Sequence, residues 1–387
     1  MGATGSRLPA NSPVRPEPVE GLLFTYDEKK RQSLDKLGTN GERGKMHRPL
    51  RLTVDRSAIQ SNWRWLADYA GVAAGAAVKA DGYGLGARET TEALIEAGCR
   101  DFFVSTWAEA EALGNLPQDV SLVVLHGVGA GDVEAALQLP GRPCLNTIEQ
   151  VARWKEIAPE RACDVMIDTG INRLGLRPTE IDELDGLSID TLHSHLACAD
   201  EDTAMNAMQL ERFRAVVSAV PAKRYSMANS AGICLGRDYS FDLVRPGLAL
   251  YGGVPRAEAE GNIREVARVE AQIVQRRIIP EGETCGYGAT FTAQEDTEAA
   301  ILNIGYADGY LRGFSSHGSA FSGECALPVL GRVSMDLIAV RCDAAPDMRE
   351  GEWVEIDYDL PTASEVSGLS QYELLTTLGS RFERRWA

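Results

Sequence analysis

A lysine at the end of a short apolar segment is the first residue in this sequence that could do chemistry. Lys79 follows Ala-Ala-Val directly, and a lysine at the edge of a buried strand would be partly desolvated. Desolvation lowers the pKa of an amine, and a neutral amine is a nucleophile that can form a Schiff base. A lone lysine at a strand end is more often a surface residue, so Lys79 alone does not define a function.

Groups that could bind phosphate occur later in the chain. Asn229 and Ser230 end one apolar segment, and Arg245 and Gly247 lie in the next one. Hydroxyls and glycine N–H groups after the seventh and eighth strands of a (β/α)8 barrel commonly bind phosphate. A lysine with a phosphate site is consistent with pyridoxal phosphate, a Schiff-base aldolase or a phosphosugar enzyme, and these residues do not separate the three.

Eight short apolar segments between about residues 70 and 252 must position these groups. They end in polar or glycine residues, and stretches with helical spacing follow most of them; they are residues 73–80, 101–106, 121–127, 142–147, 164–170, 190–197, 224–230 and 242–252. Apolar strands that alternate with helices indicate a parallel sheet buried on both faces. Eight such units predict a TIM-like (β/α)8 barrel, in which catalytic groups follow the strands.

The two ends of the chain have different patterns. Past residue 262, strand-like segments alternate with turns that contain glycine, proline or aspartate. Residues 1–45 are rich in proline, glycine, serine and charge without an apolar period, which is typical of a segment without a core. The sequence predicts a disordered extension over 1–45, with Met46 as a candidate start, a barrel over 46–262 and a mainly β domain over 263–387.

Composition excludes several kinds of partner. The 387 residues include 39 Lys and Arg against 56 Asp and Glu, a formal net charge of −17. A nucleic-acid-binding protein usually has a basic face, so neither nucleic acid nor an anionic membrane is expected as a partner. There is no apolar run of roughly 20 residues and no signal-peptide core. The eight scattered cysteines never form Cys-x-x-Cys, which favours reduced thiols, no metal site and a cytoplasmic location.

Nine motifs in the sequence resemble the alanine racemase family. They are VKADGYGLG, DTGINRLGL, HSHLACADE, MANSAG, VRPGLALYGG, GYGATF, IGYADGY, GRVSMD and QYELL, in the family's order from about Met46 to the C-terminus. The resemblance implies a barrel followed by a β domain, with pyridoxal phosphate as cofactor. It also implies an isomerase that interconverts L- and D-alanine and supplies D-alanine for peptidoglycan.

The resemblance implies two catalytic bases. Lys79 would carry the cofactor as an aldimine and act as one base, and Tyr287 of GYGAT would act as the other. A racemase needs two bases because the planar carbon must be reprotonated from the face opposite deprotonation. A phenol has an ordinary pKa near ~10, so Tyr287 would need a cationic or hydrogen-bonding neighbour to work at neutral pH.

The resemblance also implies how the cofactor is held. Arg245 would face the pyridine nitrogen, and because an arginine keeps its proton, the ring nitrogen would stay unprotonated and transamination would be limited. His195 would lie beside the ring and be linked to Arg245. The implied phosphate ligands are Tyr83, Ser230, the backbone at Gly247 and Leu248, and Tyr372.

On the substrate side, Arg173 resembles the arginine near the cofactor's phenolic oxygen and the substrate carboxylate. Tyr306 and Met335 resemble residues that border the substrate access, with Asp336 behind them.

One position departs from the family. Met166, seven residues before Arg173, stands where many members carry a carbamylated lysine that orients this arginine. Methionine cannot form a carbamate, so the sequence predicts that another anion, a water or a carboxylate holds Arg173.

A homodimer with shared active sites is a further implication of the resemblance. Lys79 belongs to the barrel, whereas Tyr287 and Met335 belong to the β domain, so a head-to-tail pairing would bring the partner's Tyr287 over Lys79. Two other functions stay open. A broad-specificity amino-acid racemase would differ in the pocket around Tyr306 and Met335, and a pyridoxal phosphate carrier would need only the barrel.

Overall fold

The computed structural model describes residues 47–387. The predictions made for residues 1–45 and for Met46 as the start lie outside the described residues. Within the described chain, residues 48–387 form one compact unit. None of the helices described over 47–387 combines the length and the apolar character that a membrane span needs.

The predicted barrel is confirmed. Its first strand is interrupted at Gly75 and consists of β2 (Ala73–Ala74) and β3 (Ala76–Ala77). A side chain at Gly75 would meet the Asp101 carbonyl oxygen at 2.7 Å. The other strands are β4 (Asp101–Val104), β5 (Ser121–Val124), β6 (Arg142–Leu145), β7 (Cys163–Met166), β8 (Ile189–His193), β9 (Arg224–Ser226) and β10 (Leu243–Val244). Strands β3 to β9 pair in parallel in chain order, and β10 pairs in parallel with β2, so the sheet closes.

Helices before and between these strands cover the barrel. They are α1 (Arg56–Ala70), α2 (Ala87–Ala97), α3 (Trp107–Leu113), α4 (Val133–Gln138), α5 (Ile148–Ile157), α6 (Ala204–Ala219) and α7 (Ser230–Cys234). Local sequence sets their ends. The Asp55 carboxylate accepts a hydrogen bond from Ala58 N at the start of α1, and Gly71, with φ of 69°, ends that helix. These are the residue types that cap the two ends of a helix most readily.

The predicted β domain is also present, and one of its strands precedes the barrel. Its sheet contains β1 (Leu50–Val54), β11 (Ala267–Ile279), β14 (Thr297–Leu302), β15 (Ser319–Ser322), β16 (Cys325–Leu330), β17 (Ile338–Arg341), β18 (Trp353–Ile356) and β19 (Glu383–Trp386), and the hairpin β12 (Thr284–Cys285) and β13 (Phe291–Thr292) lies between β11 and β14. Since β11 pairs with both β14 and β18, six of these strands form a closed ring. Two short helices, α8 (Leu360–Ser367) and α9 (Gln371–Thr376), lie before β19.

Strand β1 lies in the range predicted for the barrel but is built into this second sheet. It pairs antiparallel with β11 and parallel with β19. Its burial alternates, with Leu50, Leu52 and Val54 inside and the residues between them half-buried, whereas the barrel strand β4 is buried throughout. Alternation is typical of a strand with one covered face, which the second sheet provides and the barrel does not.

Candidate active site

A cavity of about 570 Å3 lies where the barrel strands end. Nine residues that the family resemblance assigned to the site line it, and they come from five different strand ends and from the second domain: Lys79, Tyr83, Arg173, His195, Ser230, Arg245, Gly247, Leu248 and Tyr372. Because parallel strands all end on the same side of a barrel, residues far apart in the chain meet at this cavity.

The backbone directly after Lys79 turns in a left-handed sense. Ala80, Asp81, Gly82 and Tyr83 have φ values of 53°, 52°, 59° and 56°. A left-handed turn is unfavourable for residues with a Cβ atom, so the surrounding structure must hold it. Glu109 does so in part, since its carboxylate accepts hydrogen bonds from Ala80 N at 2.9 Å and from Ser105 N at 2.6 Å. The turn places both Lys79 and Tyr83 in the cavity wall.

The environment of Lys79 favours its neutral amine. Burial lowers the pKa of Lys79, and the nearby cation of Arg173 acts in the same direction, while Glu109 opposes them. Arg245 contributes a smaller lowering of the same pKa. A neutral amine is the form that attacks a carbonyl carbon.

One end of the cavity is a cradle of hydroxyls and backbone. Ser230 Oγ accepts hydrogen bonds from Gly247 N at 2.9 Å and Ala249 N at 3.2 Å. A side chain at Gly247 would meet the Tyr83 hydroxyl at 2.2 Å, so only glycine leaves that space open. Among the described residues the Tyr83 and Tyr372 hydroxyls donate to no protein group, and burial raises the pKa of both. They therefore remain protonated donors for an oxyanion.

Arg245 also lines the cavity, and hydrogen bonds hold its guanidinium group. Its Nη1 donates to Ser226 Oγ and lies 3.2 Å from His193 Nδ1, and its Nη2 donates to the Ser194 carbonyl oxygen at 2.6 Å. Among the described residues no hydrogen bond joins Arg245 to His195, and the imidazole that Arg245 contacts is His193. His193 precedes His195 by two residues, so both project from the same face of the chain.

His195 lies in the cavity wall as a neutral imidazole. Its backbone carbonyl accepts a hydrogen bond from Gln209 Nε2 at 3.0 Å, which anchors the strand end. Burial lowers the pKa of His195 to about 3, and the cations of Arg245 and Arg173 contribute in the same direction. A flat uncharged ring is therefore available beside any group bound between Lys79 and Arg245.

Comparison with known proteins identifies the family to which this architecture belongs. The family model described as the alanine racemase N-terminal domain matches residues 54–255, and the model for the C-terminal domain matches residues 266–386. This chain belongs to the alanine racemase family. The predicted resemblance and enzyme class, an isomerase, are confirmed.

Individual alanine racemases match over nearly the whole described chain. The catabolic alanine racemase of Agrobacterium fabrum is 40% identical over 354 residues, which cover 87% of this chain and 91% of that protein. The biosynthetic alanine racemase of the same organism is 39% identical, with 87% and 94% covered. The crystal structure of alanine racemase from Bartonella henselae has a TM-score of 0.81 and 35% identity and covers 88% of this chain and 99% of that one. That structure has covalently bound pyridoxal phosphate, the cofactor predicted from the sequence.

The position that departs from the alanine racemase family lies in the cavity wall. Met166 is 8% exposed and lines the cavity together with Arg173. Among residues 47–387, Arg173 makes no hydrogen bond and no ion pair, and its side chain is exposed. A carboxylate partner, one of the three possibilities raised from the sequence, is therefore not found within the described chain.

Three of the residues expected at the site of this family member lie outside the cavity. Tyr287, Tyr306 and Met335 are in the second domain and do not line the cavity, and Tyr287 is 68% exposed. The turn that contains Tyr287 packs near Arg332, since a side chain at Gly288 would meet Arg332 Nη1 at 3.1 Å. Arg332 therefore lies beside the turn that contains Tyr287.

Tyr306 and Met335 are held next to each other. Tyr306 N donates to the Ser334 carbonyl oxygen, and Ala307 N donates to the Met335 carbonyl oxygen, both at 3.0 Å. Arg381 joins the same two loops, because it donates to the Asp308 carboxylate at 2.6 and 2.7 Å and to Asp336 at 2.6 Å. Asp336 therefore supports these loops through Arg381.

Sequence reasoning missed several residues of the cavity and its floor. Ser105 and His126 line the cavity, and His193 and Asp164 lie behind Arg245. Ser105 and His126 could have been found, because each ends one of the eight apolar segments as Lys79 does. Asp164 carried no such signal, since it opens a predicted strand and its partners lie on other strands.

The buried His193 predicts a loss of stability in acid. Burial lowers the pKa of His193 from its ordinary value of 6.5 to about 4, and Arg245 adds to this while Asp164 opposes it. Between about pH 4 and pH 6.5, therefore, His193 binds a proton in the unfolded chain and does not in the folded chain. The contribution of His193 alone should lower the free energy of unfolding by about 1.4 kcal/mol per pH unit as the pH drops below 6.5.

Urea unfolding at pH 5 and pH 6, at one fixed protein concentration, measures this contribution. His193→Gln should reduce the pH dependence by about the same amount, about 1.4 kcal/mol per unit. His317→Gln, at an exposed position, is the matched control and should leave it unchanged. An identical pH dependence in wild type and His193→Gln would contradict the prediction.

Proposed function

We propose that this protein interconverts L- and D-alanine with pyridoxal phosphate held in the barrel cavity. The observation that carries the proposal is the combination, in one cavity, of a half-buried lysine with a lowered pKa, an oxyanion cradle and a buried arginine. A phosphosugar enzyme has no need of the lysine, and membership of the alanine racemase family disfavours an aldolase.

The residues of the cavity fit the cofactor. Ser230, the Gly247 backbone and the two tyrosine hydroxyls would bind its phosphate, Lys79 would attach to its aldehyde carbon and Arg245 would face its ring nitrogen. Leu248 would add its backbone to the phosphate site, and His195 would lie beside the ring. When bound, pyridoxal phosphate withdraws electrons from the substrate α-carbon and so acidifies its proton.

The protein's own groups would then move the proton. The Lys79 amine, whose pKa is lowered by burial and by Arg173, would take the α-proton on one face, and Tyr287 would serve the other face. Arg245 would stay protonated: burial lowers its pKa only to about 10, well above neutral pH. It would therefore donate a hydrogen bond without transferring its proton, which limits side reactions that need a protonated ring.

Completion of this site would require a second copy of the chain. Tyr287, Met335 and Leu337 are large apolar or aromatic residues exposed on the second domain, by 68%, 53% and 38%. Such exposed side chains often mark an interface between proteins. We propose a homodimer in which the partner's Tyr287, Tyr306 and Met335 cover the cavity of one protomer and border the path of the substrate past Arg173.

Two cellular roles, biosynthetic and catabolic, occur among the relatives of this chain. D-alanine for peptidoglycan is the proposed product, although relatives of similar identity bear both biosynthetic and catabolic names. We propose a cytoplasmic location, because the cysteines of the described chain are all free thiols.

Met166 favours a noncovalent anion or water beside Arg173 in place of a carbamylated lysine. A carbamate bonded to Arg173 in a crystal structure would refute this.

The decisive assay measures D-alanine formed from L-alanine by purified protein with added pyridoxal phosphate, alongside L-serine and L-lysine. A strong preference for alanine supports the proposal. Comparable turnover of several amino acids would assign a broad-specificity racemase with the same catalytic groups. No turnover despite bound cofactor would favour a pyridoxal phosphate carrier.

The phosphate cradle can be tested at Gly247. In Gly247→Ala the new methyl group would lie 2.2 Å from the Tyr83 hydroxyl, so Tyr83 must move away from the cradle. Loss of one hydrogen bond to a charged group costs about 1.5–3 kcal/mol, which raises the dissociation constant about 10- to 100-fold. Fluorescence titration with pyridoxal phosphate measures this change. Gly131→Ala, where a side chain has open space, should bind as wild type does.

A further inference from the structure

A buried chain of charged and polar groups lies behind Arg245, in the interior of the barrel. Asp164 and His193 are fully buried, and the Asp164 Oδ2 atom lies 3.0 Å from His193 Nε2. The other ring nitrogen of His193, Nδ1, lies 3.2 Å from Arg245 Nη1. The rings of Phe103 and His193 pack nearly perpendicular to each other, with their centroids 5.9 Å apart.

The hydrogen-bonding partners define where the imidazole proton must be. A guanidinium group has donors only, so Arg245 Nη1 must donate to His193 Nδ1, and Nδ1 must present its lone pair. The Asp164 carboxylate accepts only, so the single proton of a neutral ring must lie on Nε2 and point at Asp164. A doubly protonated His193 would place an N–H group against the N–H group of Arg245.

We infer that Asp164 fixes the tautomer of His193, and that His193 in this tautomer orients the Arg245 guanidinium at the cavity. Asp164 and His193 are thus positioning residues that act through Arg245. The part of this inference that concerns the cofactor ring rests on the role proposed above for Arg245. The tautomer itself does not depend on that role.

The surroundings of Asp164 explain why an amide could not replace it. Its Oδ1 atom accepts from Arg142 Nε at 3.0 Å and from Thr191 N at 3.3 Å. In Asp164→Asn the amide oxygen must stay with these two donors, so the amide NH2 group would face His193. The ring would then accept at Nε2 and carry its proton on Nδ1, which places two donors face to face at Arg245.

A neighbouring carboxylate offers a matched control. Asp190 pairs with the same Arg142 at 2.9 Å and with Arg224 at 3.2 Å, but it contacts neither His193 nor Arg245. Asp190→Asn therefore weakens the same ion cluster and leaves the tautomer unaffected. Comparison of the two variants separates a general loss of charge pairing from a change in the imidazole proton.

The first experiment is 15N NMR of histidine-labelled protein loaded with pyridoxal phosphate. Protonated and unprotonated ring nitrogens have well-separated shifts, the chain has only five histidines, and His193→Gln assigns the signals of interest. Wild type and Asp190→Asn should show His193 protonated on Nε2 at pH 7, and Asp164→Asn should show the proton on Nδ1. A wild-type His193 protonated on Nδ1, or on both nitrogens, would overturn the inference whether or not the variants fold.

The second experiment measures the dissociation constant of pyridoxal phosphate. Asp164→Asn should raise it at least about tenfold, as expected when a charged hydrogen-bonding group is displaced, and Asp190→Asn should stay within about twofold. A shifted tautomer with unchanged affinity would overturn the role proposed for Arg245 while leaving the tautomer assignment intact. Equal weakening by both variants would show that charge pairing alone matters and would overturn the positioning role.

Discussion

Replacing Lys79 with alanine should abolish racemisation and prevent pyridoxal phosphate from becoming attached to the chain. Lys79 is the only lysine that lines the cavity within residues 47–387, and its pKa is lowered chiefly by burial. The change removes both the attachment point and one of the two proposed bases. The loss of a positioned base alone lowers turnover by about 10²- to 10⁴-fold, and the loss of attachment adds to it.

Two measurements check this expectation. D-Alanine formation reports turnover, and the mass of protein treated with borohydride in the presence of cofactor reports attachment at Lys79. Lys155→Ala is the matched control, because Lys155 lies on helix α5 and donates only to the Glu183 carbonyl oxygen. Attachment that persists in Lys79→Ala, or is lost in Lys155→Ala, would move the cofactor lysine elsewhere.

Replacing Tyr287 with phenylalanine should lower turnover by about 10²- to 10⁴-fold while cofactor binding stays unchanged, because the phenol is proposed to move a proton and to touch no phosphate. The side chain is exposed and outside the cavity of its own chain, so the fold should tolerate the change. Initial rates in both directions and a cofactor titration measure the two quantities. Tyr69→Phe, at a partly exposed tyrosine on helix α1, is the control.

Mixing variant chains tests whether Tyr287 acts across a dimer. If sites are shared, a Lys79→Ala chain paired with a Tyr287→Phe chain has one intact site, so activity should return on mixing. A chain with both substitutions paired with wild type should have no intact site, so mixing should lower the wild-type activity. If each chain held its own complete site, the first mixture would stay inactive and the second would keep the wild-type site. That pattern would refute the shared site.

Local sequence was sufficient to predict the barrel and some of the residues around its cavity, and the family resemblance supplied others. Several cavity residues lie shortly after an apolar segment, as Lys79 follows β3 and Ser230 follows β9. Because all strands of a parallel barrel end on one side, knowing the segments is nearly enough to know which side chains meet. The motifs added the chemistry, since the types of residue at those strand ends identified the family.

Only the tertiary structure decided which groups stand behind and beside those residues. Strand β1 joined the second sheet because its alternating burial requires one covered face, and its partners β11 and β19 lie hundreds of residues away in the chain. The partner of Arg245 is His193 and not His195, since the distance between side chains from β8 and β10 depends on how the barrel closes. Likewise, Tyr287 lies outside the cavity of its own chain because the second domain forms a closed sheet of its own. Sequence determines which residues end each strand, whereas contacts between strands depend on register and closure, which no single segment encodes.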